Sequence, residues 1–323
     1  MADMSYRRLG GSGLAVSVVG IGCNSFGRKI DAAATRAVVD AAIDCGINLF
    51  DTADVYGDPH GASEEFLGAA LTANGKRDHV VVATKFGADM EGANGPDWGA
   101  RGSRRYVMRA VEASLRRLGT DHIDLYQMHL PDPDTPIDET LSVLDDLVRA
   151  GKVRYVGSSN FLGWQVADAA WVAQTSHLTP FVGAQNEYSL LHRSAEHDLV
   201  PACERFGVGL LPYFPLASGL LTGKYHRDNI PPGSRLAQDR WSAYLAKAPW
   251  EVLEKIEAYA RERSLSMLEV AIGALAAKPT VASVIAGATT PDQVRANAAA
   301  VAWSPSAEDL AELDDITARV SAI

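Results

Sequence analysis

The chain is short of cysteine, of positive charge and of long apolar runs, and each shortage excludes something. Its three cysteines, Cys23, Cys45 and Cys203, are widely spaced, form no CxxC and cannot all pair. Reduced thiols in a cytoplasmic setting are therefore expected, with no disulfide framework and no metal site. Acidic residues outnumber basic ones, 40 to 30, giving a formal charge of −10 and a pI near 5.3. That balance argues against nucleic acid or an anionic membrane as partners held by bulk charge. No uninterrupted apolar stretch reaches the ~18 residues of a spanning helix. The start, Met1 to Arg8, has no long apolar core, so a secretory signal is not expected either. Also missing is the dinucleotide fingerprint GxGxxG, because Gly20-Ile-Gly22 is followed by Cys23-Asn24-Ser25 without a βαβ setting.

What is present is an alternation. Apolar, β-rich runs recur at Val16–Cys23, Ile47–Ala53, His79–Lys85, Ile123–His129, Val153–Ser159, Val182–Glu187, Val208–Phe214 and Val281–Gly287. Amphipathic segments such as Tyr106–Leu118 separate them. Eight such alternations predict one α/β domain over 1–323, a closed (β/α)8 barrel of the TIM type rather than an open doubly wound sheet. The Gly10–Gly13 turn predicts an N-terminal hairpin capping the far end of the barrel. Trp250–Arg263 ahead of Met267–Ala277 predicts one insertion helix, and Ser306–Val320 a closing C-terminal helix. Two long connections, Phe86 to Ser103 and about Pro215 to Lys247, leave the carboxyl ends of strands and are expected to overhang the mouth.

Ionisable groups stand at the ends of three of the runs. Asp51 ends Ile47–Asp51, Lys85 ends Val80–Lys85 and His129 ends Ile123–His129, with Tyr56 just past the first. Singly, each residue has an ordinary structural role as a cap, a loop aromatic or a solvated cation. Together, at the end of a parallel barrel where chemistry is kept, they suit the reduction of a carbonyl. A phenol has a free pKa of about 10. A nearby ammonium favours the phenolate and is expected to bring Tyr56 towards the range where general acids are efficient. Lys85 is the natural cation, Asp51 its partner, and His129 a hydrogen-bond donor to the carbonyl oxygen.

Hydride chemistry implies a nicotinamide donor, held here without a Rossmann unit. Ser159, Asn160 and Gln185, at strand ends, carry the hydroxyl and amide groups that a carboxamide needs, and Tyr213 could stack on its ring. At this point the chain resembles the aldo-keto reductases, from Tyr6 to the C-terminal helix. The matching motifs are Phe50-Asp-Thr-Ala-Asp-Val-Tyr-Gly57, Ala83-Thr-Lys-Phe86 and Leu118-Gly-Thr-Asp-His-Ile-Asp-Leu-Tyr-Gln-Met-His129. They continue with Gly151-Lys-Val-Arg-Tyr-Val-Gly-Ser-Ser-Asn-Phe161, Ala184-Gln-Asn-Glu-Tyr188 and Gly219-Leu-Leu-Thr-Gly-Lys-Tyr225, and end with Val284 to Asn297.

The resemblance implies a catalytic tetrad of Asp51, Tyr56, Lys85 and His129, with Tyr56 the proton donor, and NADP(H) extended across the barrel mouth. It places the carboxamide against Ser159, Asn160 and Gln185, the ring against Tyr213, and the pyrophosphate near Pro215, Leu216, Ser218, Leu220 and Lys224. Adenosine is expected against Gly287, Thr289, Gln293 and Asn297. The chain departs from the branches that bind the 2′-phosphate with a Lys and an Arg. It matches those that use a loop Arg with a hydroxyl and a Gln, here Arg235, Thr289 and Gln293, so NADP(H) is favoured over NAD(H). Asn24, Phe26, Trp98 and Trp241 are candidate substrate-wall residues, around an open mouth suited to several aldehydes and ketones. The expected partner is thus a small carbonyl or alcohol. A sugar dehydrogenase running the same chemistry in reverse, or a cofactor-sensing subunit with weak catalysis, are the alternatives.

Overall fold

Val81–Phe86 is buried at every position, and Ile123–Met128 at all but one. Strands covered on both faces need helices outside and packed side chains inside, which parallel pairing with helical crossovers provides. The computed structural model describes residues 4–318. The chain opens with an antiparallel hairpin, β1 (Tyr6–Arg8) and β2 (Ala15–Ser17). Eight parallel strands follow: β3 (Val19–Gly22), β4 (Leu49–Asp51), β5 (Val81–Phe86), β6 (Ile123–Met128), β7 (Val153–Ser159), β8 (Phe181–Gln185), β9 (Gly209–Leu210) and β10 (Val284–Gly287). They pair in chain order from β3 to β9, with β10 beside β3. Leu210 N donates to Thr280 O (2.8 Å), Ala282 N to Leu210 O (2.9 Å) and Ile285 N to Pro212 O (2.9 Å), which closes the ring.

The outer layer is α1 (Ala32–Asp44), α2 (Ala62–Asn74), α3 (Arg104–Leu118), α4 (Ile137–Arg149), α5 (Gly163–Ser176) and α6 (Leu199–Phe206). A short α7 (Ser242–Ala246) lies in the long connection after β9. The expected insertion helix is α8 (Trp250–Glu262), ahead of α9 (Met267–Ala276), with α10 (Pro291–Ala299) after β10. The closing helix is α11 (Ala307–Thr317), capped by Ser306; Val320, included in the sequence reading, lies outside the described residues. No helix among the described residues is long and apolar enough to cross a membrane. All three cysteines are free.

Two of the expected strands are redrawn. Val16–Cys23 is two elements, because at Val18 the chain leaves the hairpin, where its N–H pairs with Ser5, and its carbonyl receives Val284 N of the barrel. Val208–Phe214 shrinks to β9, since Pro212 has no N–H to give and Phe214 turns left-handed at φ +52°.

Side chains alternate across a strand, and this sets the barrel interior in layers. Leu49, Val81, Ala83, Leu125, Leu211 and Ile285 form an apolar cluster with Leu9 and Val16 from the hairpin. Leu9 sits beneath Gly183 and Gly209, where an added Cβ would come within 3.1 and 2.8 Å of its methyl groups. The hairpin thereby plugs the amino-terminal end. One step further along each strand, the next inward positions are Asp51, Lys85, Gln127 and Gln185, a polar layer on an apolar floor.

Candidate active site at the carboxyl ends of the strands

Lys85 is fully buried and Asp51 nearly so. Burying two charges costs more than their attraction returns unless the remaining donors and acceptors are also satisfied. Here they are. Lys85 Nζ donates to Asp51 Oδ2 at 2.7 Å and to the Thr52 carbonyl at 2.9 Å. Asp51 Oδ1 accepts from Gln185 Nε2 at 2.7 Å and from Gln127 Nε2 at 3.2 Å. Burial alone would lower the Lys85 pKa, but Asp51 and Tyr56 outweigh it and the net direction is up. The ammonium stays charged.

Tyr56 lies directly over this cation, with Nζ 5.0 Å from its ring centroid, and meets His129 edge-on at 5.8 Å. Burial pushes its phenol pKa up, the Lys85 charge pulls it down, and burial wins. The expected net lowering is therefore corrected: desolvation of the phenolate exceeds the help from Lys85, and the hydroxyl keeps its proton at neutral pH. Burial, then the Lys85 charge, lower the His129 pKa to about 3, so its imidazole is neutral. Its Nδ1 is buried without a partner among the described residues.

These groups open into one cavity of about 1030 Å³. On one side Asn160, left-handed at φ +61°, donates through Nδ2 to the His129 carbonyl (2.9 Å) and accepts from the Tyr213 hydroxyl (2.7 Å). Ser159, Gln185 and Tyr213 share this wall. Pro215, Leu216, Ser218, Lys224 and Arg235 line the cavity from the strap, residues 215–247. At the far end are Gly287, Thr289, Gln293 and Asn297, where Gln293 Oε1 accepts from the Thr289 N–H and hydroxyl at 2.8 and 3.1 Å.

Some expected positions lie elsewhere. Leu220 is fully buried beside Tyr225 and Met267 in the cluster under the strap, so its side chain does not face the cavity. Of the candidate substrate wall, only Asn24 lines it. Phe26 has no exposed surface and packs into the main core, because the bridge from Phe26 to Ile30 folds that segment inward. Trp98 is 69 % exposed, off the cavity, with the Arg105 guanidinium 4.5 Å from its ring. Trp241 stands behind Arg235, 5.9 Å away, and does not reach the cavity. Sequence reasoning missed Lys29, Ile30, Phe214 and Arg240, which do line it. It also missed Gln127, whose inward parity with Leu125 was legible. Among the described residues no group of three or more His, Cys, Asp or Glu could hold a metal ion.

Comparison with known proteins agrees with this architecture. The model of the aldo/keto reductase family matches residues 18–318. The chain is 38% identical to the uncharacterized oxidoreductase YrpG of Bacillus subtilis, over 97% of this chain and 96% of that protein. It is 35% identical to a probable voltage-gated potassium channel subunit beta of Oryza sativa, covering 91% and 90% of the two chains. With L-glyceraldehyde 3-phosphate reductase of Escherichia coli it shares 33% identity over 97% and 92%.

Proposed function

The chain belongs to the aldo/keto reductase family, whose members use nicotinamide cofactors, and from that premise we propose that it reduces aldehydes or ketones with NADPH, Tyr56 acting as general acid. The observation that carries the reading is the buried Lys85–Asp51 pair directly beneath a protonated phenol. The cavity suits a dinucleotide: it is large, its lining runs from Asp51 and Tyr56 to Gln293 and Asn297, and the Asn297 Nδ2 is buried without a partner among the described residues. Ser159, Asn160 and Gln185 would hold the carboxamide, Tyr213 the ring, Ser218 and Lys224 the pyrophosphate, and Arg235, Thr289 and Gln293 the 2′-phosphate.

When bound, the reduced nicotinamide supplies the hydride to the carbonyl carbon. The residues of the chain handle the oxygen. A neutral His129 can donate a hydrogen bond to it without giving up a proton, fixing its direction. Tyr56 transfers its hydroxyl proton to the oxygen as negative charge develops there. The phenolate left behind sits over the Lys85 ammonium, the one state in which that charge is fully used. A cation placed for the product side of a proton transfer stabilises the transition state more than the ground state.

The test is Tyr56→Phe, which removes only the hydroxyl. Oxidation of NADPH by an aldehyde panel is expected to fall by roughly 10²- to 10⁴-fold, while NADPH binding, followed by fluorescence titration, is retained. Reduction at the wild-type rate would refute the assignment of Tyr56, and a wild-type protein that neither binds NADPH nor oxidises it would refute the function.

A further inference from the structure

Asp54, Glu64, Asn94 and Arg117 lie outside the barrel wall with no part in the function above, and they join into a ring. Thr84 Oγ1 donates to Glu64 Oε1 at 2.6 Å, and Arg117 Nε to Glu64 Oε2 at 2.6 Å. Arg117 Nη1 donates to Asn94 Oδ1 at 3.3 Å, and Asn94 Nδ2 to Asp54 Oδ2 at 2.9 Å. The Asp54 N–H returns to the Lys85 carbonyl at 3.2 Å, one residue past Thr84. The ring thus grips Lys85 through its own carbonyl and its neighbour's hydroxyl. It grips Tyr56 as well. Asp54 stands two residues before Tyr56, and Ser63, next to Glu64, donates its N–H to the Tyr56 carbonyl at 3.2 Å. The Gly61 N–H donates to the same carbonyl at 3.1 Å, and the Arg117 stem packs on Gly61 too closely to admit a Cβ there.

Stability is a weak reason for such a ring. A buried ion pair is often replaceable by apolar side chains without loss, and Asp54 Oδ1 stays buried without a partner among the described residues. Buried polar networks rigidify what they connect, and this one connects the two segments that carry the acid and its cation. None of its four members lines the cavity, so none reaches a substrate. We propose that Asp54, Asn94 and Arg117 are positioning residues for the reduction, which with Glu64 hold the Tyr56 ring over the Lys85 ammonium from behind the barrel wall. The inference rests on the reading of Tyr56 as the acid. The spacing at stake is the 5.0 Å between Nζ and the ring centroid, across which Lys85 stabilises the phenolate.

The experiment measures single-turnover oxidation of bound NADPH by the panel aldehyde that wild type reduces fastest, which isolates the chemical step, beside NADPH affinity from fluorescence titration. The variants are Asn94→Leu, Arg117→Lys, the two combined, Asp54→Leu and Asp54→Asn. Leucine fills the volume without the hydrogen bonds; lysine keeps a charge beside Glu64 but lacks the fork that also reaches Asn94. Asn94→Leu, Arg117→Lys and Asp54→Leu are each expected to slow the step by about ten- to a hundredfold, the cost of a small misplacement, with NADPH affinity retained. Asp54→Asn, which keeps an oxygen to accept from Asn94, is expected to recover most of that loss. The combined variant should lose no more than the worse single one. Wild-type rates in Asn94→Leu and Arg117→Lys, losses that multiply in the combination, or equal losses in Asp54→Leu and Asp54→Asn would overturn the proposal while leaving the function standing. So would loss of NADPH binding in parallel with the rate, which would mark the ring as a support of the fold alone. A wild type that reduces no carbonyl, or Tyr56→Phe at the wild-type rate, would instead strike the reading beneath it.

Discussion

Asn94 donates through Nδ2 to Oδ2 of Asp54 across 2.9 Å, and both side chains are buried. This bond fastens the long segment after β5 to the segment that carries Tyr56. Among the described residues no cation forms an ion pair with Asp54; the nearby Arg117 pairs with Glu64 instead. Burial and the neighbouring Glu64 push its pKa up to about 8, against the opposing pull of Arg117 and Asn94. Its carboxyl is therefore protonated in the folded protein at neutral pH.

A stability consequence follows from the sign of that shift. Above pH 4 the unfolded chain releases the Asp54 proton while the folded one keeps it, so folding is opposed increasingly up to about pH 8 and constantly beyond. Asp54 should contribute a decline of about 1.4 kcal/mol per pH unit within that window. In Asp54→Asn the fall in unfolding free energy between pH 5 and 8 should be shallower than in wild type. Parallel curves in urea titrations across that range would contradict the shift.

Removing the Lys85 charge leaves Asp51 buried without its cation. Lys85→Met is expected to abolish turnover and to destabilise the fold by about 3–5 kcal/mol. The Lys85→Met, Asp51→Asn pair should lose much less than the two single changes added together, because the stranded charge is gone. Strict additivity in denaturant unfolding would show that the two residues act independently.

His129 should not titrate during catalysis. Its folded pKa of about 3 lies far below that of a free imidazole, so its ring stays neutral from pH 5 to 8. The folded protein then binds fewer protons than the unfolded one below about pH 6.5, and His129 contributes a loss of stability as the pH falls from there towards 3. The ¹⁵N shifts of its ring should stay flat between pH 5 and 8. A titration midpoint near 6.5 would disprove the buried neutral state.

Arg235 bears on cofactor preference. If it meets the 2′-phosphate, Arg235→Ala should weaken NADPH by about ten- to a hundredfold, the range of a charge-assisted hydrogen bond, and NADH far less. Equal losses for the two would remove Arg235 from that role and reopen NAD(H) as the preferred cofactor.

The polar layer was legible in the sequence because strand parity is. Leu49 to Asp51 and Ala83 to Lys85 are two-residue steps on one face, and the same step from Leu125 finds Gln127. Loop side chains carry no such period. Phe26 and Trp98 are both aromatics near glycines, yet one is sealed in the core and the other lies in solvent. What separates them is a backbone bridge four residues long in one case and a cation–π contact across the loop in the other. The Tyr56 pKa was misjudged for a related reason. Its cation could be read from sequence, but the degree of desolvation depends on every atom packed around the ring.

The plug at the amino-terminal end makes the barrel a dead end for water. Beneath Asp51 and Lys85 lie Leu49, Val81, Leu125 and, from the hairpin, Leu9 and Val16, all buried. Ser283 stands beside Leu49 in that stack, but its hydroxyl is buried with no partner among the described residues and has nothing to pass a proton to. A phenolate formed at Tyr56 must therefore regain its proton from the mouth, past whatever occupies the cavity, so the traffic of protons and of small molecules shares a single doorway.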